Sequence, residues 1–202
     1  MDDCPPFSPF SAAVLAGGRS LRMGHDKASI VWKGRRLLDQ QIAALGSLGP
    51  EELLVSGRQG IDYAIQGIRV VVDEEPDLGP LAGLVAVLKA TTAPHVLVLA
   101  VDLPAMTPEF LKLLLSMRRP GVGIVPRISA GWEPLVSVYP REIMSLAKKA
   151  LERRHLSLQQ LVSSGVASGM LEPMEPGPER FPLFRNLNSQ SDLEHFASEV
   201  PS

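Results

Sequence analysis

Cysteine is almost absent from this chain. Cys4 is the single thiol in 202 residues, which excludes an intrachain disulfide and a cysteine-built metal site and fits a reducing compartment. Histidine is scarce too: His25, His95, His155 and His195 are scattered without metal-ligand spacing. Neither sign of charge dominates. Twenty Lys and Arg against 22 Asp and Glu leave a formal net charge of −2, which argues against bulk nucleic-acid binding. No apolar run is long enough to cross a bilayer. Met1-Asp2-Asp3 carries no basic segment ahead of an apolar one, so no signal peptide is expected and a cytoplasmic protein is. Two phosphate-binding motifs are also missing. Gly24 is followed by His25 and Asp26 rather than Lys and Ser or Thr, and no G-x-G-x-x-G occurs in the first glycine-rich loop. The chain is therefore neither a P-loop NTPase nor an ordinary dinucleotide binder.

What is present is a different glycine loop. Ala13-Val14-Leu15-Ala16-Gly17-Gly18-Arg19-Ser20-Leu21-Arg22-Met23-Gly24-His25-Asp26-Lys27 runs from an apolar strand through paired glycines into a basic loop. Gly17 and Gly18 leave no Cβ in the way, so their N–H groups can approach phosphate oxygens closely. Arg19, Arg22 and Lys27 supply the countercharge, the arginines as planar forks and the lysine as a point charge. This combination suits a triphosphate.

Apolar residues make up 45% of the chain, enough for a sizeable core. The pattern predicts one domain over residues 1–202, with a proline-rich arm at 1–10. Strands are expected at 11–16, 52–55, 68–72, 96–101, 122–125 and 135–139, with a hairpin-like excursion at 30–35. Helices are expected at 37–45, 84–88, 108–117, 142–153, 156–162 and 189–197. Residues 79–83 read as a turn, and the proline- and glycine-rich stretch 172–184 as a mobile loop. Strands alternating with helices indicate an α/β fold with a mainly parallel central sheet. Ligands of such sheets bind beyond the carboxyl ends of the strands. Those ends carry the glycine loop, Ser56, Asp73 and Asp102.

Asp102 follows the most apolar strand and precedes Leu103-Pro104. A carboxylate there needs a partner, and Mg²⁺ bridging phosphates would be one. A turn aspartate before Pro104 is the alternative. Asp73 ends another strand, beside Glu74, Glu75 and Asp77, which read as a solvated acidic loop. Glu133-Pro134-Leu135 and Asn186-Leu187-Asn188 can be read simply as a strand entry and a helix cap.

The unbroken stretch L-A-G-G-R-S-L-R-M-G-H-D-K at 15–27 resembles the signature loop of the molybdenum cofactor guanylyltransferases, within the Rossmann-like, nucleotide-diphospho-sugar-transferase type of nucleotidyltransferase. The resemblance extends from Ala12 to the last helix. It implies GTP and Mo-molybdopterin as substrates, with Mg²⁺ held by Asp102. It implies nucleotide contacts from Leu15, Ala16, Gly17, Gly18, Arg19, Lys27, Ser56, Asp73, Gly83 and Asp102. Arg22, Lys27 and Asp102 are the implied catalytic set. Glu133, Pro134, Asn186 and Asn188 are implied on the acceptor side, and contacts with molybdenum-insertion proteins and apo-molybdoenzymes are implied as well. Ser56 departs from the pattern, which favours asparagine and its paired donor and acceptor. Gly17, where cytidylyl relatives carry alanine, favours guanine. A cytidylyltransferase, a sugar-phosphate nucleotidyltransferase and a non-catalytic nucleotide-binding module are the rival readings.

Overall fold

The computed structural model describes residues 9–17, 27–72 and 78–187. The expected arm at residues 1–8, Gly18, Arg19, Arg22, Asp73, Asn188 and the expected last helix lie outside the described residues.

The sheet is built from strands that are apolar on both sides. β1 (Ser11–Leu15) and β6 (His95–Ala100) are buried at every position, as strands covered on both faces must be. β1 pairs in parallel with β6 on one side and with β4 (Glu52–Gly57) on the other. β4 pairs in parallel with the edge strand β5 (Arg69–Val72). On the far side β6 meets the antiparallel β9 (Val136–Pro140), which pairs antiparallel with β7 (Gly123–Ile128). β10 (Leu171–Met174) runs parallel to β7 and closes that edge, giving the order β10-β7-β9-β6-β1-β4-β5. The two-residue β8 (Gly131–Trp132) folds back on β7. A separate hairpin joins β2 (Val31–Trp32) to β3 (Arg35–Arg36).

The helices cover both faces, as the strand–helix alternation predicts. Side chains from α1 (Leu37–Gly46) and α3 (Pro108–Met117) share a core with Ala12, Val14, Leu97 and Leu99. Those of α2 (Pro80–Ala90), α4 (Met144–Glu152) and α5 (Leu158–Ala167) share the other with Ala13, Leu15, Val96 and Val98. Neighbouring residues of β1 and β6 thus point into opposite cores, the period-two consequence of the pleat. Among the described residues no helix is long and apolar enough to cross a membrane.

Three local differences from the sequence-based expectation matter. Residues 79–83 are not a turn throughout. Gly79 alone takes the left-handed conformation, at φ 69°, and α2 starts at Pro80, where a missing N–H costs nothing. The stretch expected as a loop at 172–184 holds β10 and a 3₁₀ helix (Pro178–Phe184). Phe184 is buried and meets Phe110 edge-to-face at 5.4 Å, a favoured aromatic geometry. Helix α5 runs on through Gly165, where a Cβ would lie 2.8 Å from Leu171 and 2.9 Å from Ile143. That glycine lets α5 approach β10.

Gly123 is more tightly constrained. A Cβ there would lie 2.0 Å from the carbonyl oxygen of Val138 on the neighbouring strand. Backbone cannot yield as a side-chain tip can, so Gly123→Ala is expected to cost about 3 kcal/mol, the upper range for overpacking. A thermal melt within a degree of the parent's would contradict that.

Candidate active site

The carboxyl ends of β1, β4 and β6 converge on a cavity of about 150 Å³ lined by Leu15, Ala16, Gly17, Lys27, Ser56, Gly79, Pro80, Gly83, Asp102 and Leu135, among others. These are the strand ends to which the rule for open α/β sheets points. A larger open groove of about 870 Å³ runs along β5, α2 and α4, but it receives none of these groups.

At the centre is an ion pair. Lys27 Nζ donates to Asp102 Oδ2 at 2.6 Å, across 75 residues of sequence. Both side chains are mostly shielded, at 15% and 17% exposure, so their attraction is stronger than that of a surface pair. Lys27 opens a short 3₁₀ turn (Lys27–Ser29), whose Ala28 packs into the α1-side core. The lysine is thus anchored by the residue beside it.

Asp102 is held by its backbone. Val101 N–H donates to Leu15 O at 3.1 Å, tying the end of β6 to the end of β1. Leu187 N–H donates to Asp102 O at 2.8 Å, which brings Asn186 next to the site. The Gln41 amide, itself buried, donates to Leu103 O at 2.9 Å. Sequence reasoning did not find Gln41. The signal was there: it is the one amide among Leu37, Leu38 and Leu45 on the buried side of α1.

Ala16 N–H donates to Ser56 O at 2.8 Å, which fixes the start of the glycine loop against β4. Ser56 is buried, and its Oγ lies 2.7 Å from where a Gly83 Cβ would stand. Gly83 sits within α2 rather than in a turn, and its structural contribution is this missing Cβ. The start of α2, at Gly79 and Pro80, faces the cavity. The positive end of its helix dipole suits an anion.

Glu133 and Pro134 lie on the link from β8 to β9. Glu133 N–H donates to Pro126 O at 2.9 Å. The Tyr139 hydroxyl, wholly buried, donates to Pro134 O at 2.7 Å and pins the link from beneath, so burial pushes that phenol up from its ordinary pKa. Leu135 O accepts from Ala100 N–H at 2.8 Å, which puts the link beside Asp102. Burial raises the Glu133 carboxyl to about 7. The sign follows: its pKa rises on folding, so the protein loses stability relative to a neutral side chain as pH climbs from about 4.5 to 7. Glu133→Gln is expected to melt close to the parent at pH 5 and above it at pH 8. An equal difference at both values would refute the shift.

The structure thus gathers Leu15, Ala16, Gly17, Lys27, Ser56, Gly83 and Asp102 around one cavity, with Glu133, Pro134 and Asn186 on its neighbouring links. Among the described residues no group of three or more His, Cys, Asp or Glu could hold a metal. An ion here would rest on the one Asp102 carboxylate and on substrate oxygens. That donor set fits Mg²⁺, which commonly takes one or two carboxylates plus phosphates.

Residues 12–167 match the family model described as the MobA-like NTP transferase domain. The chain belongs to this family. It is 37% identical to a probable molybdenum cofactor guanylyltransferase of Opitutus terrae over 191 residues, 93% of this chain and 94% of that one. It is 32% identical to a molybdenum cofactor guanylyltransferase of Pseudomonas putida, over 84% and 90% of the two chains. Among solved structures, molybdopterin-guanine dinucleotide biosynthesis protein A of Archaeoglobus fulgidus superposes with a TM-score of 0.75 at 18% identity, covering 94% of this chain and all of that one. The chain is therefore a nucleotidyltransferase with the fold expected from its sequence.

Proposed function

We propose that this chain transfers GMP from GTP to the terminal phosphate of molybdopterin carrying molybdenum, forming the guanine dinucleotide cofactor and releasing pyrophosphate. The observation that carries the reading is the Lys27–Asp102 pair at the shared carboxyl ends of β1 and β6, beside Gly17. A cation, a hard oxygen donor and a glycine turn at one point are what a triphosphate and its counterion require. The relatives named as guanylyltransferases supply the choice of base and acceptor.

An oxygen of the acceptor phosphate attacks the α-phosphorus in line. The bond from that phosphorus to the oxygen bridging to the β-phosphate breaks, and pyrophosphate leaves with the electron pair. The acceptor is already an anion, so no side chain need act as nucleophile or strong base. Catalysis is positioning plus charge stabilisation. Lys27 takes up negative charge on the phosphates, joined in this reading by Arg22 and Arg19. The Gly17 and Gly18 amides cradle the triphosphate, and Ser56, Asp73 and Gly83 border base and ribose. Asp102 would hold Mg²⁺, which would supply Lewis-acid neutralisation of the phosphate charge. Glu133, Pro134, Asn186 and Asn188 border the acceptor.

Calorimetric titration with GTP, CTP, ATP and UTP, with and without Mg²⁺, tests the donor half. Magnesium-dependent preference for GTP is expected. Preference for CTP would point to a cytidylyltransferase, with Ser56 in place of asparagine as the residue to examine. No binding by any of the four would overturn the assignment of this cavity to a nucleotide.

A further inference from the structure

We propose that Arg127, stacked on Trp132, is the platform on which the planar ring system of the acceptor lies. The inference rests on the transfer reading above and adds a recognition residue to it. Strands β6 and β7 point the same way, because each pairs antiparallel with β9. The far end of β7 therefore lies at the same edge of the sheet as Asp102. The register makes this specific. Leu99 pairs with Val136, Val138 with Ile124, and Ala100 bonds Leu135. Arg127 thus sits level with the last residues of β6, two strands away from it. Two interstrand spacings make about 10 Å, too far for a contact to the attacked phosphorus and right for the distal end of a small phosphorylated heterocycle. The opposite side of Asp102, towards β1, β4 and α2, is where the nucleotide cavity lies.

The local construction is more rigid than a solvated hairpin needs. Trp132 N–H donates to Gln159 Oε1 at 3.2 Å, Gln159 Nε2 donates to Trp132 O at 2.8 Å, and the indole N–H donates to Ser163 Oγ at 3.1 Å. These three bonds clamp β8 onto α5. The indole also packs on the α2-side core. The Arg127 guanidinium lies 5.1 Å from the ring centroid, within cation–π range. Arg127 is exposed and has no carboxylate partner among the described residues. A delocalised planar cation lies over an aromatic ring, on a side chain that is exposed. Arginine in that posture stacks on a second π-system. The ligand class is a flat nitrogen heterocycle bearing a phosphate.

The test uses the full chain with Arg127→Ala and Arg127→Lys. Arg127 is exposed, so both are expected to fold with unchanged melting temperature. Pyrophosphate release is measured while GTP and acceptor are varied separately. Both variants are expected to raise the acceptor KM about tenfold, in the range of one lost stacking contact, with the KM for GTP unchanged. An unchanged acceptor KM in Arg127→Ala overturns the proposal. So does a parental value in Arg127→Lys, because charge without a plane would then suffice. A second arm omits GTP and titrates a pterin monophosphate, reading its own fluorescence. Quenching by the parent and not by Arg127→Ala supports the platform; equal quenching, or none by the parent, overturns it. If the parent releases no pyrophosphate from GTP, the transfer reading falls, while the pterin titration still decides the platform.

Discussion

Replacing Asp102 by alanine should abolish transfer and leave the fold standing. Among the described residues, the Asp102 carboxylate is the one acidic side chain lining the cavity. Loss of a group that stabilises transition-state charge costs about a hundredfold to a thousandfold in rate, and Asp102→Ala would forfeit its metal-binding role as well. Its backbone roles survive the change, because Leu187 bonds the Asp102 carbonyl and Val101 bonds β1 through main chain alone. The melt should fall by only a few degrees, the cost of removing one ionic partner from a mostly shielded Lys27. Retention of most of the parental rate at saturating magnesium would remove Asp102 from the mechanism.

Replacing Lys27 by methionine should have the second-largest effect, and it separates two consequences. Lys27 Nζ donates to Asp102 Oδ2 at 2.6 Å. The same two groups cannot serve a phosphate and a metal until they part. The incoming triphosphate offers Lys27 a replacement partner and frees the carboxylate. Lys27→Met should therefore lower the rate about a hundredfold by loss of charge stabilisation. In the absence of nucleotide, it should also strengthen Mn²⁺ binding relative to the parent, read by the loss of free-ion paramagnetic resonance signal. Unchanged rate with unchanged Mn²⁺ binding would show that the pair is incidental.

The residues show why some of this was legible in the sequence. β1 and β6 are buried on both faces, so their apolar runs stand out, and the strand-end rule then points to Gly17, Ser56 and Asp102. The basic charge of the glycine loop added Lys27. Its partner could not be read from local pattern, since 75 residues separate the two. β10 was missed because Pro173 and the prolines after it read as loop. It is an edge strand, where proline is tolerated, with Pro173 opposite Val125. The full length of α5 was hidden by Gly165, a packing glycine at the contact with Leu171 and Ile143. The start of α2 was hidden by Gly79-Pro80, a pair that marks turns more often than helix starts. Gln41 carries no local motif, and its role shows only in its bond to Leu103, 62 residues away.

The most direct test of the central claim is pyrophosphate release by the purified protein with Mo-molybdopterin and Mg²⁺, one nucleoside triphosphate at a time, with the product identified by mass. The account predicts stoichiometric release with GTP, a product heavier than the acceptor by one guanylyl group, and little release with CTP, ATP or UTP. Release with none of the four, while the protein remains folded, would contradict it.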